Sequence, residues 1–164
     1  LAPVVHALGM RLVGWSLTYD PDRAARLGVE LMPMDEVLRQ SDVVSLHLRA
    51  SPRTAGLIGA RELALMKPTS YLINTARGAI VDEAALYETL ASHRIAGAAI
   101  DVFQTEPLPG DSRLLTLDNV VVTPHVAWVT DAGIDRMSRH PIENILAYLE
   151  GSPRFVVNSE VKNA

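Results

Sequence analysis

The sequence contains no cysteine, and none of its hydrophobic runs approaches the ~20 residues that a membrane-spanning helix needs. The lack of cysteine excludes disulfide scaffolds, thiolate metal sites and cysteine nucleophiles, and we expect no metal site. The N-terminus also lacks the basic-then-apolar arrangement of a signal peptide. These absences favour a cytoplasmic protein with no membrane partner.

Positive charge is scarce as well. The formal net charge at neutral pH is −4, and the lysines and arginines form no basic stripe that could follow a phosphate backbone. We therefore expect no nucleic-acid partner. The length of 164 residues and the 48% apolar content fit one compact domain with a continuous core.

Short apolar runs alternate with amphipathic segments, which is typical of an α/β fold with a doubly wound parallel sheet. The predicted strands cover residues 10–15, 29–32, 42–48, 71–75, 95–102 and 119–124. The predicted helices cover residues 20–28, 34–41, 60–67, 82–94 and 130–150, with a further helix start at Ser51 before Pro52. Asp20 is expected to cap the first of these helices, and Pro141 should kink the last.

Ionisable side chains follow the last three predicted strands: Arg77, Glu106 and His125, in that order. Parallel strands joined by crossover helices end at one edge of the sheet, where doubly wound sheets bind ligands. A guanidinium can grip a carboxylate through two parallel hydrogen bonds. A histidine near a carboxylate keeps its proton to higher pH, as an acid/base group must. The residues predict a ligand site at this edge.

Each of the three residues has a simpler interpretation when it is taken alone. His125 could be a hydrogen-bonded core or loop residue, and Glu106 before Pro107 a solvated loop acid. Arg77 could cap the following helix or pair with a surface acid. Their common position after consecutive strands favours the shared site, but the pattern by itself names no reaction.

Three motifs in sequence order identify a family. They are "LINTARGAIVDEAAL" (72–86), "GAAIDVFQTEPLP" (97–109) and "NVVVTPHVAW" (119–128). Together they resemble the NAD(P)-dependent D-isomer-specific 2-hydroxyacid dehydrogenases, over residues 1–158. The resemblance implies a Rossmann-type dinucleotide-binding domain, NAD or NADP as the cofactor, and a small 2-keto or 2-hydroxy acid as the substrate.

The resemblance also implies a role for each of the three ionisable residues. Arg77 would hold the carboxylate and the carbonyl oxygen of the substrate. His125 would protonate that oxygen as hydride arrives, and Glu106 would keep His125 protonated. Glu106 argues against the formate dehydrogenase branch, in which a glutamine is the partner of the histidine.

Cofactor contacts are implied in the same way. The residues expected at the nicotinamide end are Thr75, Ala76, Arg77, Asp101, which would accept a hydrogen bond from the carboxamide, and the segment from His125 to Ala127. His47 and Leu48 would flank the adenosine, although His47 could equally be a partly buried polar residue at a strand end. Ser16 stands where an NAD-preferring site has an acidic residue, so the sequence favours neither NAD nor NADP.

Compared with the family, the chain starts within the first helix and lacks the first strand and its glycine-rich turn. We expect residues 1–158 to form a partial dinucleotide-binding domain followed by a tail over 159–164, without the substrate domain. The strands at 10–15 and 42–48 would each keep an unpaired edge unless they close up on each other. Alone, the chain should bind cofactor poorly and lack activity; the full-length protein should be a homodimer.

The expected function is therefore that of a glyoxylate/hydroxypyruvate reductase-like oxidoreductase, present here as a fragment. Hydride would pass between the nicotinamide and a D-2-hydroxy acid or its 2-keto partner. Two alternatives stay open: a catalytically inactive remnant, and a nucleotide-sensing interaction protein on the same scaffold.

Overall fold

Six short strands, all paired in parallel, carry the fold, which is α/β as predicted. A computed structural model describes residues 1–157; residue 158, which ends the predicted domain, and the predicted tail at 159–164 lie outside this part. The strands are β1 (Val13–Gly14), β2 (Glu30–Leu31), β3 (Val43–Leu46), β4 (Tyr71–Asn74), β5 (Gly97–Ile100) and β6 (Val120–Val122). The α-helices are α1 (Ala2–Ala7), α2 (Pro21–Arg26), α3 (Met34–Gln40), α4 (Ala60–Leu65), α5 (Glu83–Ala91) and α6 (Asp131–Leu149).

The strands form two sheets, of order β1-β2 and β3-β4-β5-β6. The strands β1 and β3 do not pair with each other, so each keeps the unpaired edge that the sequence leads us to expect. In the doubly wound order one strand lies between these two positions. No segment within residues 1–157 occupies that place.

The core lies around the four-stranded sheet. Leucine and isoleucine side chains from the strands, from α3 to α5 and from the connecting segments are 0–2% exposed: Leu38, Ile58, Leu63, Leu72, Ile80, Leu86, Leu90, Ile95 and Leu114. Burial of such side chains contributes about 1.5–3 kcal/mol each relative to exposure. This packing fixes the direction of β4, β5 and β6, and therefore the place where each strand ends.

The starts of α2 and α5 follow the capping chemistry of the sequence. Asp20 accepts a hydrogen bond from the N–H of Arg23 at 2.9 Å, which confirms it as the cap of α2. Asp82 accepts one from the N–H of Ala85 at 3.0 Å and caps α5. The acids that the sequence offers at these positions thus satisfy backbone donors that a helix leaves unpaired.

The predicted helix start at Ser51 is wrong. Residues 51–56 form turns, and the next helix begins only at Ala60. The buried hydroxyl of Thr54 donates to the carbonyl of Arg49 at 2.8 Å and accepts from the N–H of Ser51, also at 2.8 Å. The N–H of Ala55 donates to the carbonyl of Ser51 at 3.0 Å, but the N–H of Gly56 donates to the distant carbonyl of Ala79 at 2.8 Å, so the first turn does not continue as a helix.

The chain divides into two compact units, Leu1–His125 and a second that begins at Val126. In the second unit, Thr130 caps α6 by accepting from the N–H of Gly133 at 3.0 Å. The helix continues for 19 residues with Pro141 inside it. Among residues 1–157, no helix combines the length and apolar character that crossing a membrane requires.

Candidate active site at the carboxyl edge of the parallel sheet

The imidazole of His125 and the carboxylate of Glu106 form a hydrogen-bonded pair. Nδ1 of His125 lies 2.8 Å from Oε2 of Glu106, and the two side chains are 41% and 36% exposed. A carboxylate can only accept, so Nδ1 carries the proton of this bond. The bond fixes the ring orientation and leaves Nε2 as the nitrogen that can exchange a proton with a ligand.

The second oxygen of Glu106 is also held. Oε1 accepts a hydrogen bond from the backbone N–H of Phe103 at 3.0 Å, which ties the carboxylate to the segment that leaves β5. The hydrogen bond from His125 lowers the pKa of Glu106 below its usual range, and the Phe103 bond and the positive charge of Arg77 act in the same direction. Glu106 therefore stays ionised beside the imidazole.

The backbone of His125 adopts a conformation that is rare outside glycine. Its φ is +56°, in the left-handed region, and its N–H donates to the carbonyl of Thr123 at 3.0 Å. This hydrogen bond closes a tight turn about Pro124, directly after β6. Strained positions of this kind are retained mainly at functional sites.

Arg77 lies in a turn that one buried side chain holds. Asn74, the last residue of β4, is fully buried; its amide nitrogen donates to the carbonyl of Arg77 at 3.0 Å. Its amide oxygen accepts from the N–H of Ala76, also at 3.0 Å. The guanidinium of Arg77 is exposed, and Nη1 donates to the carbonyl of Ala76 at 2.6 Å. The turn is thus rigid at its base while its cation faces solvent.

Gly78 permits close contact between this turn and the loop of Glu106. A Cβ on Gly78 would overlap the backbone carbonyl of Phe103 and lie 2.6 Å from the nitrogen of Gln104. Any larger residue would push the two segments apart. The glycine therefore sets the separation between the loops that carry Arg77 and Glu106.

Asp101 directly follows β5 and is only 3% exposed. Its Oδ1 accepts a hydrogen bond from the hydroxyl of Thr123 at 2.5 Å. Its N–H donates to the carbonyl of Asn74 at 2.9 Å. A buried carboxylate held in this way can accept a further N–H from a ligand at the edge of the sheet.

An open cleft of about 540 Å³ adjoins the His125–Glu106 pair. Its apolar lining consists of Phe103, Pro107, Leu108, Leu115, Val122 and Pro124. The polar groups lining it are those of Glu106, Thr123 and His125. A mostly apolar concavity with a few convergent polar groups is the usual form of a small-molecule site.

The other predicted cofactor residues are more dispersed. Ser16 lies two residues past β1, in the two-stranded sheet, and its hydroxyl accepts from the N–H of Thr18 at 3.3 Å. His47 and Leu48 directly follow β3, in the four-stranded sheet, where Nε2 of His47 lies 2.9 Å from the hydroxyl of Ser45. Thr75 is exposed at the end of β4, and Ala127 belongs to the second unit.

Sequence reasoning missed two residues that build the site, Asn74 and Thr123. Asn74 is the last residue of β4, and Thr123 directly follows β6. Both lie inside the sequence motifs quoted above. A polar residue at the end of an otherwise apolar strand was the available signal, because burial there requires hydrogen-bond partners.

The parallel sheets, the acid/base pair at their carboxyl edge and the neighbouring buried aspartate define a Rossmann-like domain of the nucleotide-binding class. Comparison with known proteins narrows this class. Residues 1–127 match the model of the D-isomer specific 2-hydroxyacid dehydrogenase, NAD binding domain, and the chain belongs to this family.

Individual relatives agree with this assignment. The chain is 42% identical to a glyoxylate reductase of Korarchaeum cryptofilum over 154 residues, which are 93% of this chain and 46% of that protein. A D-lactate dehydrogenase with NAD+ from Lactobacillus jensenii has a TM-score of 0.85 at 31% identity, over 95% of this chain and 51% of that one. An acyclic imino acid reductase in complex with NADPH and D-Arg has a TM-score of 0.82 at 33% identity, over 95% and 48%. The chain thus spans about half the length of these proteins.

Proposed function

We propose that this chain is the cofactor-binding and acid/base part of an NAD(P)-dependent oxidoreductase that interconverts a 2-keto acid and a D-2-hydroxy acid, with glyoxylate or hydroxypyruvate as the keto acid. The observation that carries the proposal is the 2.8 Å contact between His125 Nδ1 and Glu106 Oε2. A ring held by a carboxylate at one nitrogen can give and take a proton at the other, which carbonyl reduction requires. The glyoxylate reductase relative supports the choice of keto acid.

Arg77 is the carboxylate-binding residue of the proposal. Its guanidinium binds the substrate carboxylate through paired N–H groups and orients the carbonyl carbon for attack. Its charge reaches the same site, since it lowers the pKa of Glu106. The apolar lining of the adjoining cleft limits access of water to the keto acid.

His125 moves the proton of the reaction. In the reducing direction Nε2 of the protonated ring donates to the carbonyl oxygen, the C=O π bond breaks, and a C–H and an O–H bond form. The bound dinucleotide supplies the hydride when it is present. The neutral ring then accepts a proton from solvent, and Glu106 stabilises the charged ring in both directions.

The donor set at the sheet edge fits the nicotinamide end of the cofactor. Asp101 is 3% exposed and is a fixed acceptor, which suits the N–H of a carboxamide. Thr75 and Ala76 would form the neighbouring wall, together with His125. The adenosine end would contact His47, Leu48 and Ser16. Because position 16 is a serine and not a carboxylate, either NAD or NADP can bind. One of the similar solved structures contains NADPH and another contains NAD+.

The test is turnover by the full-length gene product, which we expect to be a homodimer. Purified protein is assayed with glyoxylate and hydroxypyruvate in the presence of NADH or NADPH. We expect Arg77→Ala to raise KM for the keto acid at least about tenfold and to lower kcat, while Arg77→Lys recovers only part of the loss because it cannot form the paired bonds. An unchanged KM in Arg77→Ala would contradict the carboxylate-binding role.

Two results would replace the enzyme proposal. Tight dinucleotide binding without turnover of either keto acid would support a nucleotide-sensing interaction protein. Absence of both binding and turnover would support an inactive remnant.

A further inference from the structure

The hydroxyl of Thr123 makes a side-chain bond across two strand ends. Thr123 directly follows β6, and its Oγ1 lies 2.5 Å from Oδ1 of Asp101, which directly follows β5. The carboxylate can only accept, so the hydroxyl donates. Asp101 is 3% exposed, and a hydrogen bond to a charged group in such surroundings is among the stronger ones in proteins.

The backbone of Thr123 is fixed on both sides of this bond. Its N–H donates to the carbonyl of Ile100 at 3.1 Å and extends the parallel ladder between β5 and β6. Its carbonyl accepts from the N–H of His125 at 3.0 Å, which closes the turn that places the imidazole. The hydroxyl is therefore presented from a position that has little freedom to move, and it constrains the plane of the Asp101 carboxylate.

We propose that Thr123 is a positioning residue for the nicotinamide end of the cofactor, acting through Asp101. By holding Oδ1, the hydroxyl orients the carboxylate so that it accepts the N–H of the nicotinamide carboxamide. This inference rests on the proposed function, because it needs a dinucleotide at this edge of the sheet. It adds a residue that acts through Asp101 and takes no part in transfer of the proton.

A purely structural role makes a different prediction from a positioning role. If the hydroxyl only stabilises the fold, its loss weakens the binding of every ligand of the domain equally. If the hydroxyl positions Asp101, its loss weakens the binding of a ligand that has the carboxamide and leaves the binding of a ligand without it unchanged. ADP-ribose is such a ligand, because it is NAD without the nicotinamide.

The experiment compares Thr123→Val, which keeps the shape and removes the donor, with Thr123→Ser, which keeps the donor. Dissociation constants of the full-length protein are measured by calorimetry for NADH and ADP-ribose, or for NADPH and 2′-phospho-ADP-ribose. We expect Thr123→Val to weaken NADH about tenfold, the effect of losing one hydrogen bond to a charged group, and to leave ADP-ribose unchanged. Thr123→Ser should bind both ligands as the wild type does.

A double-mutant cycle with Asp101→Asn identifies the route of the effect. In the Asp101→Asn background, Thr123→Val should weaken NADH no further, since the carboxylate it orients is gone. Thr116→Val is the matched control: this exposed threonine donates to the carbonyl of Arg113 at 2.7 Å, outside the sheet edge, and should leave both constants unchanged. Thr123→Ala replaces the valine variant if that variant does not fold.

Three outcomes would overturn the inference. They are equal weakening of NADH and ADP-ribose, unchanged binding of NADH in Thr123→Val, and full additivity of the two substitutions in the cycle. Equal binding of ADP-ribose and of the dinucleotide by the wild-type protein would also overturn the inference, because the carboxamide would then contribute nothing to binding. Wild-type protein that binds none of these ligands contradicts the proposed function itself.

Discussion

His125 and Glu106 stand 19 positions apart in sequence and meet through a 2.8 Å contact between Nδ1 and Oε2. Two local features hold this contact. One is the left-handed turn at His125, with φ of +56°. The other is the bond from the N–H of Phe103 to Oε1 of Glu106, which orients the carboxylate. The His125–Glu106 pair is thus built by the ends of β5 and β6 and by their loops.

His125→Asn should lower kcat for keto-acid reduction by about 10²–10⁴-fold, because an amide cannot transfer the proton. Asparagine tolerates the left-handed backbone better than alanine does, so the turn is retained. The dissociation constant for the dinucleotide should change by less than about threefold. Steady-state kinetics and calorimetry on the full-length protein measure the two quantities.

His93→Asn is the matched control for this variant. His93 also has a positive φ, of +50°, but it follows α5 and precedes β5, at the opposite end of the strands. Its replacement should leave kcat unchanged. Equal losses in kcat at the two positions would mean that the histidine at 125 acts on stability and not on the proton.

Glu106→Gln should change the pH dependence of stability. The pKa of Glu106 is lowered in the folded protein, first by the bond from His125, so its ionised form stabilises the fold above the unfolded pKa of about 4.3. This contribution is lost as the pH falls through the lower folded pKa. Because the pair is partly exposed, we expect the free energy of unfolding of the wild type to exceed that of Glu106→Gln by about 0.2–1 kcal/mol near neutral pH.

Urea unfolding near neutral pH and at about pH 3 measures this difference, which should shrink in acid as the carboxylate of the wild type takes up its proton. Glu88→Gln is the control, since Glu88 is 69% exposed and contacts only the surface Arg113 among the ion pairs described for residues 1–157. That substitution should change stability by less than about 0.5 kcal/mol at both pH values. If the difference in stability between the wild type and Glu106→Gln becomes larger in acid, the ionised carboxylate of Glu106 does not stabilise the fold.

Sequence reasoning located the strands because hydrophobic period and helix caps are local signals, although each strand described within residues 1–157 is shorter than its predicted range. The segments that carry Arg77, Glu106 and His125 could therefore be assigned to one edge of a parallel sheet. The turns at 51–56 were not predictable in this way. A serine before a proline suits a helix start and a turn equally, and the deciding contact is the bond from the N–H of Gly56 to the carbonyl of Ala79, which is distant in sequence.

Contacts between strands were harder to predict than the strands themselves. The bond between Thr123 and Asp101 depends on the register that pairs Ile100 with Val122, and a shift by one residue would turn both side chains to other faces. The sequence does not encode that register locally.

Gly78→Ala should destabilise the protein by about 1–3 kcal/mol, because the added Cβ would overlap the backbone of Phe103. Backbone atoms cannot move aside as a flexible side chain can. The strain should also separate the Arg77 turn from the Glu106 loop and lower kcat/KM for the keto acid. Urea unfolding and steady-state kinetics measure the two effects.

Gly110→Ala is the matched control, because a Cβ at Gly110 has no atom within 4 Å and its φ is not in the left-handed region. It should change stability by less than about 0.5 kcal/mol and leave kcat/KM as it is. If the two alanine variants behave alike, close contact at Gly78 does not set the separation of the loops.

Asn74→Ala should affect both stability and substrate binding. The side chain is fully buried and bonds the N–H of Ala76 and the carbonyl of Arg77, so its removal leaves two backbone groups without these partners and costs about 1–3 kcal/mol. The freed turn no longer fixes the guanidinium, and KM for the keto acid should rise about tenfold. Asn119→Ala separates the two effects, because Asn119 bonds the carbonyl of Leu90 at the other end of the strands. It should lower stability and leave KM unchanged; a similar rise in KM in both variants would show that Asn74 supports only the fold and not the position of Arg77.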